Sequence, residues 1–104
     1  MKNILLVCAA GMSTSMLVNK MEKAAVNKDE EIKITATSGG DVKKYIDEAE
    51  VLLLGPQVSY LKADYEKQYG DERGIPVEVI NSIDYGTMNG EKVLNWAIDL
   101  IDSK

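Results

Sequence analysis

Runs of apolar residues alternate along the chain with stretches in which apolar residues recur every three or four positions. Four runs have the length of β-strands, at residues 3–7, 32–37, 51–54 and 77–80. Helical spacing follows each of them, at residues 17–25, 42–49, 59–69 and 93–101. The third of these helices is the weakest, and Gly70 is its predicted C-terminal cap. Strands that alternate with helices predict an α/β domain with a parallel sheet.

The four predicted strands differ in how their apolar residues are distributed. Residues 4–7 and 51–54 are apolar without interruption, which is typical of strands buried on both faces. Residues 32–37 alternate apolar with polar, and the last strand follows Pro76 and contains Glu78, as edge strands do. With right-handed crossovers, these patterns predict a four-stranded parallel sheet of order 2-1-3-4 with helices on both faces.

That order puts a topological switch point between the first and third strands, where open α/β sheets bind ligands. The loop after Val7 enters the first helix, which is predicted to begin near Ser13. The loop combines small residues, a glycine and three hydroxyl residues: Cys8, Ala9, Ala10, Gly11, Met12, Ser13, Thr14 and Ser15. Backbone N–H groups at a helix start bind phosphate-sized anions, and the positive helix end stabilises a thiolate. The loop is therefore a candidate phosphate site with Cys8 as its nucleophile.

A second interpretation of this loop is purely structural. A lone cysteine beside an apolar strand is commonly a small buried hydrophobe, and any one of the hydroxyl residues is equally suited to cap the helix. Packing does not call for a glycine and three consecutive hydroxyl residues, which favours a functional role for Cys8. Gln57 and Tyr85 are candidate rim residues, with a strand-ending turn and a structural tyrosine as their alternatives.

The amino-acid composition excludes several classes of function. The 104 residues include one cysteine and no histidine, so Ser/His/Asp catalysis, a phosphohistidine and the common zinc sites are excluded. No metal or other cofactor is predicted, and 1–104 is expected to form one domain. A net charge of -5 argues against nucleic acid as a partner. No apolar run is long enough to insert into a membrane, and a single cysteine fits a cytoplasmic protein.

A cysteine before a phosphate-sized loop is also typical of cysteine-dependent phosphatases, which have the signature Cys-x5-Arg. Here Thr14 stands at the arginine position, and the only arginine is Arg73. Without the bidentate arginine clamp, hydrolysis should be slow and a phosphocysteine should persist, as in a phosphoryl carrier. A low-molecular-weight phosphatase or arsenate reductase remains the alternative enzyme, and a passive anion-binding module, such as a flavodoxin-like one, the alternative binder.

Three blocks of sequence resemble one known family. They are LVCAAGMSTSML at positions 6–17, LLLGPQVSY at 52–60, and IDYG at 83–86 with NG at 89–90. The chain resembles the EIIB component of the lactose/cellobiose family of the phosphoenolpyruvate-dependent sugar phosphotransferase system. This resemblance implies an architecture similar to low-molecular-weight tyrosine phosphatases and a location at the inner face of the membrane.

The resemblance also implies a reaction. Cys8 would accept a phosphoryl group from a phosphohistidine on EIIA, residues 9–15 would hold it, and a sugar bound by membrane EIIC would receive it. The sugar, the partners' identities and the oligomeric state stay open, with cellobiose, chitobiose and lactose among the candidates. One departure is Asn81, where family members often have an aspartate.

Overall fold

Strands and helices alternate along the chain. The structure, a computed structural model, describes residues 2–8, 11–26, 28, 31–37 and 41–103, and residues 11–14 by their backbone. The elements of the sheet layer and its main helices are β1 (Lys2–Val7), α1 (Gly11–Ala25), β2 (Ile32–Thr37), α2 (Val42–Tyr45), β3 (Val51–Leu54), β4 (Val77–Val79), α5 (Ser82–Gly86) and α6 (Gly90–Asp102). A helical segment with a kink at Val58 joins β3 to β4: a 3-10 helix (Pro56–Leu61), α3 (Lys62–Tyr65), a π-helical turn (Glu66–Gly70) and α4 (Asp71–Arg73).

All four strands are parallel, and their order is β2-β1-β3-β4, as predicted. In β1, Ile4 pairs with Ile34 of β2 on one side and with Val51 of β3 on the other. Every residue of β3 is buried, as are the last four of β1, because both strands lie inside the sheet and are covered on both faces. The uninterrupted apolar runs therefore identified the central strands correctly.

Alternate residues of the central strands point into two separate cores. Ile4 and Leu6 face α1 and α6, whereas Leu5 and Val7 face α2 and the helical segment 56–73. The first core is completed mainly by Leu17, Met21, Val51, Leu53, Ile80, Tyr85, Val93, Leu94, Ala97 and Ile101. The second is completed by Val42, Ile46, Leu52, Leu54, Val58, Tyr65, Tyr69, Ile75 and Val77. Helices thus cover both faces of the sheet, as the pattern predicted.

The weak third helix is longer than its pattern indicated, and the prediction that it ends at Gly70 is wrong. Gly70 has helical dihedral angles, and the chain stays helical to Arg73. Gly74 adopts the left-handed conformation with φ of 69°, and its N–H donates to the Gly70 carbonyl over 2.9 Å. Gly74 is therefore the residue that ends the helix, because a glycine reaches positive φ without a steric penalty.

The tyrosines of this segment have different environments. Tyr65 and Tyr69 are buried, with their ring centroids 5.6 Å apart, whereas Tyr60 is 74% exposed. Burial, followed by the neighbouring Tyr69, Tyr60 and Asp64, raises the pKa of Tyr65 above its usual value. Tyr65 and Tyr69 therefore belong to the second core, and Tyr60 belongs to the surface.

The amino end of α6 crosses α1 at very short range. A Cβ atom at Gly90 would lie 2.5 Å from the main-chain carbon of Lys20 and the amide nitrogen of Met21. Only glycine lets the two backbones approach so closely, and this contact holds α6 against the face of the sheet that carries Cys8. Within the described residues, no helix is long and apolar enough to cross a membrane.

We expect Gly90→Ala to lower the free energy of unfolding by about 1–3 kcal/mol, because the added methyl group meets main-chain atoms that cannot move aside. Gly86→Ala is the matched control, since a Cβ atom there meets nothing within 4 Å. Urea unfolding of both variants would measure the difference. Equal stability of the two would contradict the close approach of α6 and α1.

Candidate functional site

The carboxyl ends of three neighbouring strands meet in one row. Cys8 follows the last residue of β1, Gly55 follows that of β3 and Ile80 follows that of β4. The Cys8 N–H donates to the Thr37 carbonyl over 3.1 Å, and the Gly55 N–H donates to the Val7 carbonyl over 2.9 Å. Ile80 likewise donates to the Leu54 carbonyl over 2.8 Å. The main chain of Cys8 and that of Gly55 thus lie side by side at the predicted switch point between β1 and β3.

The Cys8 side chain continues the alternation of Ile4 and Leu6, so it points toward the core beneath α1 and α6. It is a free thiol and 4% exposed. Gly55 lies against it, because a Cβ atom at position 55 would be 2.8 Å from the Cys8 Sγ and 2.5 Å from the Gln57 Oε1. The absence of a side chain at Gly55 is what leaves room for the sulfur and the amide together.

Two polar side chains connect to the sulfur in series. The Tyr85 hydroxyl donates to the Cys8 Sγ over 3.7 Å, and the Gln57 amide nitrogen donates to the Tyr85 hydroxyl oxygen over 3.1 Å. Tyr85 is 8% exposed. The structure therefore brings Gln57 and Tyr85, the two candidate rim residues, into one hydrogen-bonded group with Cys8.

Tyr85 is carried by α5, a short helix that the sequence pattern did not predict. Asn81 is its N-cap, and the Asn81 side-chain oxygen accepts from the N–H groups of Ile83 at 2.8 Å and Asp84 at 3.3 Å. An asparagine directly after a strand and before Ser82 was the available signal. The departure at Asn81 has a structural reason, since asparagine and aspartate cap helices about equally well.

The first helix begins earlier than predicted, at Gly11 instead of near Ser13. Its amino end follows Cys8 by three residues, so the unpaired N–H groups of its first turn belong to the predicted anion-binding stretch. Ser13, Thr14 and Ser15 lie inside the helix, which excludes them as its N-cap. Ala9 and Ala10 lie outside the described residues, and so do the side chains of residues 11–14.

The arginine of the chain is far from this group. Arg73 lies on α4 and forms an ion pair with Asp47, on the side of the sheet opposite the Cys8 side chain. It is therefore already engaged with a carboxylate away from the sulfur. Among the described residues, no cluster of three or more acidic or cysteine side chains is arranged to hold a metal ion.

Exposed apolar side chains occur on the segments that leave the carboxyl ends of the strands. Met16 of α1 is 55% exposed, Tyr60 is 74% exposed and Ile83 of α5 is 73% exposed. They follow β1, β3 and β4 respectively, at the edge of the sheet where Cys8 lies.

Comparison with known proteins gives consistent matches over the chain. Residues 3–95 match the family described as PTS system, Lactose/Cellobiose specific IIB subunit. The cellobiose-specific EIIB component of Lactococcus lactis subsp. lactis is 43% identical and the galactose-specific EIIB component of Lactococcus lactis subsp. cremoris is 43% identical, each with 97% of both chains covered. The lactose-specific EIICB component of Streptococcus mutans is 31% identical over 80% of this chain and 14% of its own length.

A solved structure matches as well. The solution structure of the cellobiose-specific phosphotransferase IIB component from Borrelia burgdorferi superposes with a TM-score of 0.82 at 48% identity, covering 99% of this chain and 94% of that one. The fold and the strand order found here are thus those of IIB proteins.

We expect Asn81→Ala to lower the free energy of unfolding by about 1 kcal/mol, because two N–H groups at the start of α5 lose their acceptor. Asn81→Asp supplies the same acceptor and should match the unsubstituted protein within a few tenths of a kcal/mol. Urea unfolding of both variants tests the cap. If Asn81→Ala were as stable as Asn81→Asp, capping would not explain the residue.

Gly55→Ala should lower the free energy of unfolding by about 1–3 kcal/mol and displace the Cys8 sulfur, because the new methyl group overlaps Sγ. Denaturant unfolding together with the NMR shift of the Cys8 Cβ would detect both effects. Gly86→Ala serves again as the control. An unchanged Cys8 signal in a fully stable Gly55→Ala protein would contradict the contact.

Proposed function

The chain belongs to the lactose/cellobiose-specific IIB subunits of the sugar phosphotransferase system, and we propose that Cys8 is its phosphoryl carrier. IIB components of this system act as phosphotransferases. The single observation that supports Cys8 is its position at the carboxyl end of a central strand, three residues before the amino end of α1. The unpaired N–H groups at the start of a helix bind phosphate, and in this chain they follow the cysteine by three residues.

In the proposed reaction, the Cys8 thiolate attacks the phosphorus of a phosphohistidine on EIIA. An S–P bond forms, the N–P bond breaks, and its electron pair stays on the imidazole nitrogen of the donor. An imidazole protonated on its other nitrogen leaves as a neutral ring and needs no general acid. Positioning and electrostatic stabilisation are then the main tasks of this chain, which has no histidine.

The phosphoryl oxygens are held by backbone N–H groups of residues 9–15, which is the role that we assign to Ala9, Ala10, Gly11, Met12, Ser13, Thr14 and Ser15. The amino end of α1 at Gly11 supports this assignment, because its first N–H groups have no acceptor within the helix. A cradle of neutral donors binds phosphate less tightly than an arginine fork. Weaker binding suits a group that has to be passed on.

The partners are EIIA as donor and the membrane component EIIC as the protein that binds the sugar. The exposed side chains of Met16, Tyr60 and Ile83 supply apolar surface around the site for alternate contact with both. Because the Cys8 sulfur is buried, it has to become accessible when the donor docks. Residues 1–104 act as one phosphocarrier domain in the cytoplasm, held at the inner face of the membrane through EIIC.

In the second transfer, a hydroxyl of the sugar attacks the phosphorus and the S–P electron pair returns to sulfur. The hydroxyl proton goes to a base of the sugar-binding partner. The sugar is a β-linked disaccharide such as cellobiose, chitobiose or lactose. Relatives named for cellobiose and for galactose are equally similar to this chain, so the choice among sugars rests with the partner.

This proposal separates the chain from cysteine-dependent phosphatases and arsenate reductases. Their arginine clamp has no counterpart here, because position 14 is a threonine and Arg73 pairs with Asp47 elsewhere. A phosphocysteine without that clamp should hydrolyse slowly. Long life of the intermediate is what a carrier requires and what a phosphatase avoids.

Intact-mass analysis tests the carrier directly. Incubation with phosphoenolpyruvate, the general phosphotransfer proteins and an EIIA protein of a lactose/cellobiose system should add one phosphoryl group to the wild type. Cys8→Ala should gain none, because the chain has no other cysteine. Tyr69→Phe is a matched control on the opposite face of the sheet and should be phosphorylated like the wild type.

Two outcomes would contradict the proposal. A phosphoryl group retained by folded Cys8→Ala would place the acceptor on another residue. Steady hydrolysis of an aryl phosphate by the wild type, lost in Cys8→Ala, would instead identify a phosphatase.

A further inference from the structure

The Tyr85 hydroxyl takes part in a hydrogen bond with Gln57 and in another with Cys8. The Gln57 amide donates to the Tyr85 oxygen over 3.1 Å, so this oxygen acts there as an acceptor. The same hydroxyl donates its proton to the Cys8 Sγ at 3.7 Å. Amide N–H groups only donate and a thiolate only accepts, so with Cys8 as the thiolate of the proposed reaction the series runs from Gln57 through Tyr85 to the sulfur.

Tyr85, the middle member of this series, is buried and lies on a capped helix. Tyr85 is 8% exposed, and the helix that carries it is anchored by the Asn81 cap. Gln57 is exposed, and its Oε1 lies 2.5 Å from the point that a Cβ atom at Gly55 would occupy. A donor fixed in advance needs no reorganisation when charge develops on its acceptor.

We propose that Tyr85 is a catalytic residue of the Cys8 phosphoryl transfer, and that Gln57 is the positioning residue that aims its proton at the sulfur. This inference rests on the proposed role of Cys8 as carrier. A thiolate accepts hydrogen bonds much better than a sulfur bonded to phosphorus, since charge-assisted bonds are the stronger ones. Tyr85 therefore stabilises the unphosphorylated thiolate relative to the phosphocysteine.

That difference has opposite effects on the two transfers. When the S–P bond breaks, negative charge returns to the sulfur and the Tyr85 bond strengthens, so release to an acceptor is accelerated. When the S–P bond forms, the same bond weakens, so acceptance gains nothing from it. Tyr85 keeps its own proton in both steps. Its function is to make the phosphocysteine easy to discharge, which a carrier needs as much as it needs a nucleophile.

The phosphoryl equilibrium with EIIA measures this effect without the sugar or EIIC. Phosphorylated EIIA of a lactose/cellobiose system, freed of its own donors, is mixed with each variant, and intact mass gives the phosphorylated fraction of both proteins. Tyr85→Phe should shift the equilibrium constant about tenfold toward phosphocysteine, because a hydrogen bond to a charged acceptor is lost. Back-transfer to unphosphorylated EIIA should slow about tenfold, while forward transfer changes less.

Further variants distinguish the proposed role of the Tyr85 hydroxyl from an effect of the substitution on packing. Tyr85→Phe keeps the ring, and Tyr69→Phe removes a hydroxyl from a tyrosine that is equally buried, 6% exposed against 8%, on the other face of the sheet. Tyr69→Phe should leave the equilibrium at the wild-type value. Gln57→Leu should shift it in the same direction as Tyr85→Phe but by a smaller factor, since the tyrosine then loses only its alignment.

The outcomes are distinguishable. An equilibrium unchanged in Tyr85→Phe, or shifted toward EIIA, would overturn the role of Tyr85 while leaving Cys8 as the carrier. An unchanged equilibrium in Gln57→Leu, with the shift present in Tyr85→Phe, would overturn the positioning role of Gln57. Failure of the wild type to accept any phosphoryl group from an EIIA that is itself phosphorylated would refute the carrier, and Tyr85 with it.

Discussion

The close approach of β1 and β3 beyond their last residues is the constraint on which the site depends. Cys8 and Gly55 each donate a main-chain hydrogen bond to the preceding row of the sheet, so their positions are set by the parallel ladder. Gly55 has no side chain, and a Cβ atom there would occupy the space of the sulfur. The sulfur that we propose as the nucleophile thus takes its place from the sheet, and not from the loop that follows it.

The two cores contribute unequally to this arrangement. Cys8 and Tyr85 both belong to the core under α1 and α6, on one face of the sheet. Packing of α6 against α1 at Gly90 therefore acts on the same layer that carries the hydrogen bond to Cys8. The opposite layer, with Tyr65 and Tyr69, forms the second core.

Stability and chemistry also meet at Asn81. Its side chain satisfies two N–H groups that begin α5, and α5 in turn presents Tyr85 to the sulfur. A capping residue of this kind is two steps removed from the reaction, yet it fixes the direction of a donor. An aspartate at position 81 would preserve the capping function, because both side chains supply the acceptor oxygen that a helix start requires.

The amino-acid sequence by itself determined the strand order, the two central strands and the location of Cys8 at the switch point, because burial on both faces leaves an uninterrupted apolar run that is visible without a structure. It also marked the family through the residues around Cys8, Gly55 and Tyr85. The tertiary structure alone decided that the third helix passes Gly70 and ends at Gly74, since local pattern does not reveal which of two nearby glycines adopts positive φ. It alone joined Gln57, Tyr85 and Cys8, which are separated by up to 77 positions in the chain. Hydrogen bonds between such distant residues depend on strand register and helix placement, and no periodicity along the chain encodes them.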